Sequence, residues 1–344
     1  MAKKRIGILT GGGDCPGLNP AIRGCVYMAE KLGYECVGFL EGWKGLIDNN
    51  TTPLNKDIVK DIVSQGGTYL YSSRTNPYKR EGGVNAVKET FKKQNLHALI
   101  AMGGEDTLGV ANSLFNDFKL PIVGVPKTMD NDLSGTDYTF GFDTASTVAV
   151  DALERLRDTA KSHRRIVILE VMGRHAGWVS LFTAIAGNAD YCCIPEEKVD
   201  VEKMTKKLKD VYAKRKYGLV VTSEAAELPT TGDGEVQALD DFGHVQLSGR
   251  DVGEKLAKII EEKTGIETRS AVIGHIQRGG SPTLFDRMLG TRVGIGAVKF
   301  VDEGKFGVMS ALKGTEIEAV PLKEAVKQLK TIDKKWLELM DVLF

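Results

Sequence analysis

The chain has 344 residues, 46 Lys+Arg against 46 Asp+Glu, and no formal net charge. That length suits one large or two medium domains, and the balanced charge gives no sign of a polyanion-binding surface, so no nucleic acid is expected as a partner. No apolar run reaches membrane length, MAKKRIGILTGGG is too short in apolar residues for a signal peptide, and five cysteines without framework or zinc spacing fit a reducing cytosol, so a cytoplasmic protein away from membranes is expected.

Arg5 to Thr10 predicts a strand, Gly11-Gly12-Gly13-Asp14-Cys15-Pro16-Gly17 a loop, and Leu18 to Leu32 a helix. Strand, glycine loop and helix N-terminus is the layout that cradles phosphate with backbone N–H groups, and equally that of a tight strand-to-helix turn. The loop has no G-K-[ST], and Pro16 breaks the dinucleotide pattern. Glu35 to Leu40 is a second strand. Trp43, after it, reads as a packing residue. Ile58 to Gln65 predicts a helix ending at Gly66-Gly67. The basic loop Ser72 to Arg80 follows, with Arg74 as a phosphate candidate, and Val84 to Gln94 is helical.

Two short apolar runs then end in acidic loops, Gly103-Gly104-Glu105-Asp106-Thr107 and Pro126-Lys127-Thr128-Met129-Asp130-Asn131-Asp132, with one helical interval between them. Both runs predict buried parallel strands. Ligands bind beyond the carboxyl ends of such strands. Four carboxylates brought to one edge repel one another unless a cation or a proton-transfer task holds them, and Mg²⁺ bridging phosphate oxygens is the usual solution.

A long amphipathic helix from Ala145 to Lys161 is expected, with Asp143 or Thr144 as its cap. The strand Ile166 to Met172 leads into Gly173-Arg174-His175-Ala176-Gly177, where Arg174 suits a transferring phosphoryl group or an ion pair to a carboxylate. Tyr191 to Pro195 and Leu219 to Thr222 predict short strands, and Val201 to Lys214 and Asp251 to Lys263 helices. Leu228 to Ser248 reads as a loop or surface hairpin. The strand Ala271 to Gly274 precedes a second phosphate-ready cluster, His275-Ile276-Gln277-Arg278-Gly279-Gly280. Leu289 to Val301 is helical, and the remainder reads as strands and terminal helices without chemical features. Glycine loops, carboxylates, arginines and a placed histidine are the parts of phosphoryl transfer, with Asp130, beside Thr128 and Asp132, as the candidate base.

The stretches LTGGGDCPGLN, GGEDT, PKTMDND, GTDYTFGFDTA, HRRIVILEVMGRHAGW, ETRSAVIGHIQRGGSP and Asp286-Arg287, in this order, resemble the 6-phosphofructokinases along nearly the whole chain. The resemblance implies an α/β, two-lobed fold, each lobe a mainly parallel sheet flanked by helices, with the active site in the cleft between lobes. It implies a phosphoryl-donor lobe at 1–140 plus about 277–327 and a fructose 6-phosphate lobe at about 141–276 plus 328–344. It implies catalytic roles for Asp130, Thr128, Asp132 and Arg174, a metal-binding role for Glu105 toward Mg²⁺, and Gly12 against the donor. Thr128, Asp130, Met172, Gly173, Arg174, Glu224, His275 and Arg278 match the sugar-phosphate pocket. Arg165 and Arg269 match arginines that reach the neighbouring subunit's site in a homodimer or homotetramer.

Asp106 and Lys127 stand where ATP-using members usually have glycine, and resemble the pyrophosphate-dependent branch. A carboxylate placed at a nucleotide's α-phosphate costs on the order of 4 kcal/mol at about 4 Å and an effective dielectric of ~20. Pyrophosphate ends short of that point, and Lys127 either neutralises Asp106 or holds the pyrophosphate. The implied reaction is reversible transfer from pyrophosphate to fructose 6-phosphate. An ATP-dependent enzyme and a non-catalytic sugar-phosphate sensor are the alternatives. Arg23 and Arg157 are the basic residues kept around the family's effector site, while positions near Tyr27 and Asn50 are not basic, so weak or no nucleotide regulation is expected.

Overall fold

Twelve strands in two separate sheets carry the chain in a computed structural model that describes residues 3–229 and 250–344. They are β1 (Arg5–Thr10), β2 (Glu35–Phe39), β3 (Thr51–Leu54), β4 (Leu96–Gly103), β5 (Ile122–Thr128), β6 (Phe140–Gly141), β7 (Ile166–Val171), β8 (Tyr191–Cys193), β9 (Gly218–Ser223), β10 (Thr268–Val272), β11 (Val308–Lys313) and β12 (Glu316–Pro321). The larger sheet runs β12-β11-β5-β4-β1-β2-β3, with β6 paired to β5; the smaller runs β10-β7-β9-β8. Every pairing is parallel except at the two ends of the larger sheet, where β3 and β12 fold back antiparallel on β2 and β11. The expected surface hairpin between Leu228 and Ser248 lies, apart from 228–229, outside the described residues.

The continuous apolar runs are explained by cores on both faces of each sheet. Ile6, Ile8, Ile100, Val123 and Val125 pack on one side with the helices Leu18–Lys31 and Leu284–Asp302; Leu9, Leu99, Ala101 and Ile122 pack on the other with Glu105–Phe118. Trp43 is 1% exposed in the second of these cores, so its packing role holds. In the smaller sheet Val167, Leu169 and Val221 face one core, and Ile166, Ile168 and Val220 the other. All five cysteines are buried and free. Among the described residues no helix is long and apolar enough to cross a membrane.

Two local expectations are corrected. The stretch expected as a helix from Ile58 to Gln65 holds only the last two residues of a single turn, Lys56–Val59, capped by Asn55. Beyond it the Asn19 amide donates to the Gln65 and Gly66 carbonyls at 3.1 and 3.2 Å, and a Cβ on Gly66 would lie 2.3 Å from the Gly280 carbonyl oxygen. The chain thus bends inward instead of continuing a helix. The long helix begins earlier than expected, at Phe142, and runs to His163. Neither Asp143 nor Thr144 caps it through its own side chain; Asp286 accepts from the Thr144 N–H at 2.8 Å and from its hydroxyl at 2.6 Å. Asp143 is instead held by the Thr283 hydroxyl.

Candidate active site

Strand register brings the loops together. Ile8 pairs with Ile100 and Met102 with Val125, so β1, β4 and β5 end side by side. Their loops carry Gly12, then Glu105 and Asp106, then Lys127, Thr128, Asp130 and Asp132. In the smaller sheet Val171 pairs with Ser223 and Glu170 with Val272, so Met172, Glu224 and His275 leave that sheet at one edge. The two edges face a common cavity of about 570 Å³. From the larger sheet it is lined by Gly12, Arg74, Glu105, Asp106, Lys127, Thr128, Asp130 and Asp132. Met172, Arg174, Glu224, His275 and Arg278 line the other side. Gly173 meets this wall through its N–H, which donates to Glu224 Oε1 at 3.3 Å.

Lys127 is 4% exposed and sunk into the glycine loop, where its ammonium donates to the Gly13 carbonyl. Burial holds its pKa below the usual lysine range. Gly12 has φ +78°, and a Cβ there would sit 3.4 Å from Lys127 Nζ. Arg278 reaches the same loop from the opposite side, donating to the Asp14 carbonyl at 3.0 Å. Gly13 makes this approach possible, since a Cβ on it would lie 2.8 Å from Arg278 Nη1. Two cations therefore hold the carbonyls of the loop after β1, whose Gly11 and Gly12 N–H groups donate to Met102 and Ser73.

Glu105 and Asp106 occupy the first turn of the helix Glu105–Phe118, where the helix dipole favours them. Both also line a second hollow of about 370 Å³ beyond the cavity, with Asn76, Tyr78 and Gly109. They thus stand on the boundary between the two spaces.

The second acid loop is tightly built. The Asp130 N–H donates to Thr128 Oγ1 at 3.1 Å, the Thr139 hydroxyl donates to the Thr128 carbonyl at 2.7 Å, and the Thr139 N–H donates to Asn131 Oδ1 at 3.1 Å. Asn131 takes φ 51°, a left-handed value that asparagine tolerates. Asp130 Oδ1 is buried and has no hydrogen-bond partner among the described residues. Asp132 is 8% exposed; burial, and then the charge of Asp130, pushes its carboxyl up to about 7. Burial likewise raises the Glu224 carboxyl.

Arg165 and Arg269 are not among the residues lining this cavity. They lie at the amino-terminal ends of β7 and β10 and share Glu267, at 3.4 and 2.8 Å. Sequence reasoning passed over Glu170, Gln277 and Lys330. Glu170 lines the cavity and accepts from the Gly253 N–H at 2.6 Å, at the start of the helix Val252–Thr264. Its clue was one carboxylate in the apolar strand IVILEV. Gln277 is fully buried, accepts from the Met172 N–H at 2.8 Å and donates to the Ala145 carbonyl at 3.2 Å, fixing the end of β7.

The phosphofructokinase family model matches residues 5–301. The chain is 50% identical to the pyrophosphate–fructose 6-phosphate 1-phosphotransferase of Dictyoglomus thermophilum, covering 100% of this chain and 99% of that protein. It is 46% identical to ATP-dependent 6-phosphofructokinase 3 of Streptomyces coelicolor, over 98% of this chain and all of the relative. The pyrophosphate-dependent phosphofructokinase structure from Marinobacter aquaeolei superposes with a TM-score of 0.83 at 21% identity, covering 99% of this chain and 91% of that one, a likeness of fold. With the sheet order, the converging loops and a match across most of its length, the chain belongs to the phosphofructokinase family.

Proposed function

We propose that the protein transfers a phosphoryl group from pyrophosphate to the free primary hydroxyl of fructose 6-phosphate, giving fructose 1,6-bisphosphate and inorganic phosphate, reversibly and in the cytoplasm. The observation that carries the donor is the position of Asp106, on the boundary between the cavity and the outer hollow. A nucleotide would have to pass this carboxylate, whereas a two-phosphate donor ends at the glycine loop among Lys127, Arg278 and Arg74. The 50% identical relative named for pyrophosphate supports the same donor.

In this reading 1–140 and about 277–327 form the donor lobe, and about 141–276 and 328–344 the sugar lobe. The two sheets supply a physical basis for that division. Asp130 accepts the proton of the sugar hydroxyl. The freed oxygen attacks the near phosphorus, and the bond to the distal phosphate breaks. Thr128 braces the base, and Arg174 spreads the charge that develops on the transferring group. Asp132, whose carboxyl is raised by burial and by the charge of Asp130, sits beside the base. Met172, Gly173, Glu224 and His275 receive the sugar, and Arg278 spans sugar and donor loop.

Magnesium fits the residues present. Glu105 faces the cavity, and burial, then the charges of Asp130 and Glu105, raise the Asp132 carboxyl, so this acidic cluster suits a cation. Among the described residues no three acidic, cysteine or histidine groups form a cage, and Mg²⁺ at phosphate needs only one or two carboxylates. Bound there, it supplies neutralisation of the pyrophosphate charge.

A homodimer or homotetramer completes the reading, with Arg165 and Arg269 serving a neighbouring subunit's sugar-phosphate pocket. Val272, Ile276, Leu284 and Met288 support it, being 63, 70, 78 and 55% exposed although apolar. Mixing an inactive Arg165→Ala chain with an inactive Asp130→Asn chain should restore activity in mixed oligomers; no recovery would refute subunit sharing.

The test of the donor is bisphosphate formation from fructose 6-phosphate and Mg²⁺ with pyrophosphate or ATP in parallel. Activity with pyrophosphate alone is expected, and Asp106→Gly with Lys127→Gly should begin to admit ATP. Activity with ATP alone would overturn the donor argument and leave the family unaffected.

A further inference from the structure

Residues 328–332 lie between the last helices and form one isolated bridge, Leu329 to Leu133. Lys330 uses every polar group it has. Its N–H donates to the Asp132 carbonyl at 2.7 Å. Its ammonium donates to Asn131 Oδ1 at 3.0 Å, the Thr136 carbonyl at 3.1 Å and the Asp137 carbonyl at 2.9 Å. Its own carbonyl accepts from Trp178 Nε1 at 2.8 Å. Two residues on, the Ile332 N–H donates to Glu196 Oε1 at 3.0 Å, and the same carboxylate accepts from the Gly177 N–H at 3.0 Å.

The acid loop from Thr128 to Asp137 and the arginine loop from Gly173 to Trp178 are thus tied to one short strap. An ammonium has three donors, and here three acceptors belonging to the acid loop take them. Asp130 stands immediately before the points of attachment, since the strap grips Asn131 through its side chain and Asp132 through its carbonyl. Lys330 itself does not line the cavity.

We propose that Lys330 is a positioning residue that holds the Asp130 loop and the Arg174 loop in mutual register, so that base and charge-spreading arginine meet the transferring phosphoryl group together. The proposal rests on the function proposed above. Proximity catalysis is steep in distance, and a displacement of about 1 Å costs on the order of 100-fold. Loosening the strap therefore lowers kcat and leaves ground-state binding largely intact.

The experiment measures kcat and both KM values with pyrophosphate for wild type, Lys330→Met, Lys330→Arg and Trp178→Phe, with circular dichroism to confirm folding. Lys330→Met should lower kcat by roughly 30-fold or more and move neither KM by more than about threefold. Lys330→Arg, which keeps charge and donors, should recover at least about tenfold of that loss. Trp178→Phe, which removes the indole N–H together with part of the ring packed on Phe182 and Trp336, should lower kcat by about three- to tenfold. A folded Lys330→Met protein with near wild-type kcat overturns the proposal, as does a loss expressed in KM or one that arginine does not relieve. If Lys330→Met fails to fold, unchanged kcat in Trp178→Phe overturns it. A wild type inactive with pyrophosphate refutes the function instead.

Discussion

Replacing Asp286 by asparagine should remove a defined part of the pH dependence of stability. Asp286 is fully buried in the first turn of the helix Leu284–Asp302 and receives both donors of Thr144, at the start of the helix Phe142–His163. Its second oxygen is buried without a partner among the described residues. Burial pushes the carboxyl from its ordinary 3.8 to about 6, against the lowering effect of the Thr144 hydrogen bonds. The folded state therefore binds this proton more tightly than the unfolded chain. The contribution is fully present below pH 3.8, declines as pH rises, and is lost above about 6. A rise of about 2 pKa units at about 1.4 kcal/mol each corresponds to about 3 kcal/mol lost across that window. Asparagine keeps an acceptor for the Thr144 N–H and has no proton to lose. Urea unfolding of both proteins between pH 3 and 8 should give a stability difference that shifts by about 3 kcal/mol, with wild type falling. Asp132, also raised, is common to both chains and cancels in the difference. Parallel pH profiles would refute the reasoning.

Asp130→Asn should lower kcat by about 1,000-fold while calorimetry finds fructose 6-phosphate binding within about threefold of wild type; a loss below tenfold would remove Asp130 as base. Gly12→Ala places a side chain at φ +78° and 3.4 Å from Lys127 Nζ. It should raise KM for pyrophosphate about tenfold or more without changing that for fructose 6-phosphate, and an equal rise in both would count against Gly12 as a donor contact. The purified enzyme should respond weakly or not at all to ADP, measured as fold-change in rate at subsaturating sugar; strong activation would contradict the reading of positions near Tyr27 and Asn50.

The strands were legible because a doubly covered parallel sheet writes itself as unbroken apolar residues, as in LIAMG and IVILEV, and the loops at their carboxyl ends stood out as clusters of charge. Local pattern failed where a distant residue took over a local task. Asp286 caps a helix that Asp143 and Thr144 were expected to cap, and Asn19 and Gly280 claim the backbone where a helix was expected to run to Gln65. Lys330 was invisible for the same reason, as its three acceptors lie almost two hundred positions away in the sequence. Nothing near a lysine in a polar C-terminal stretch announces such partners.

The sheet order also bears on how the chain is made. The smaller sheet is one continuous stretch, β7 to β10, whereas the larger takes β1 to β6 from the start of the chain and β11 and β12 from near its end. During synthesis β5 therefore emerges with one edge bare and keeps it bare until the ribosome has delivered the whole of the smaller sheet. A nascent chain with an uncovered apolar edge strand is a target for mispairing with its neighbours on a polysome. The late hairpin of β11 and β12 closes that edge and turns an antiparallel strand outward, so the larger sheet is protected only after the smaller one has been made.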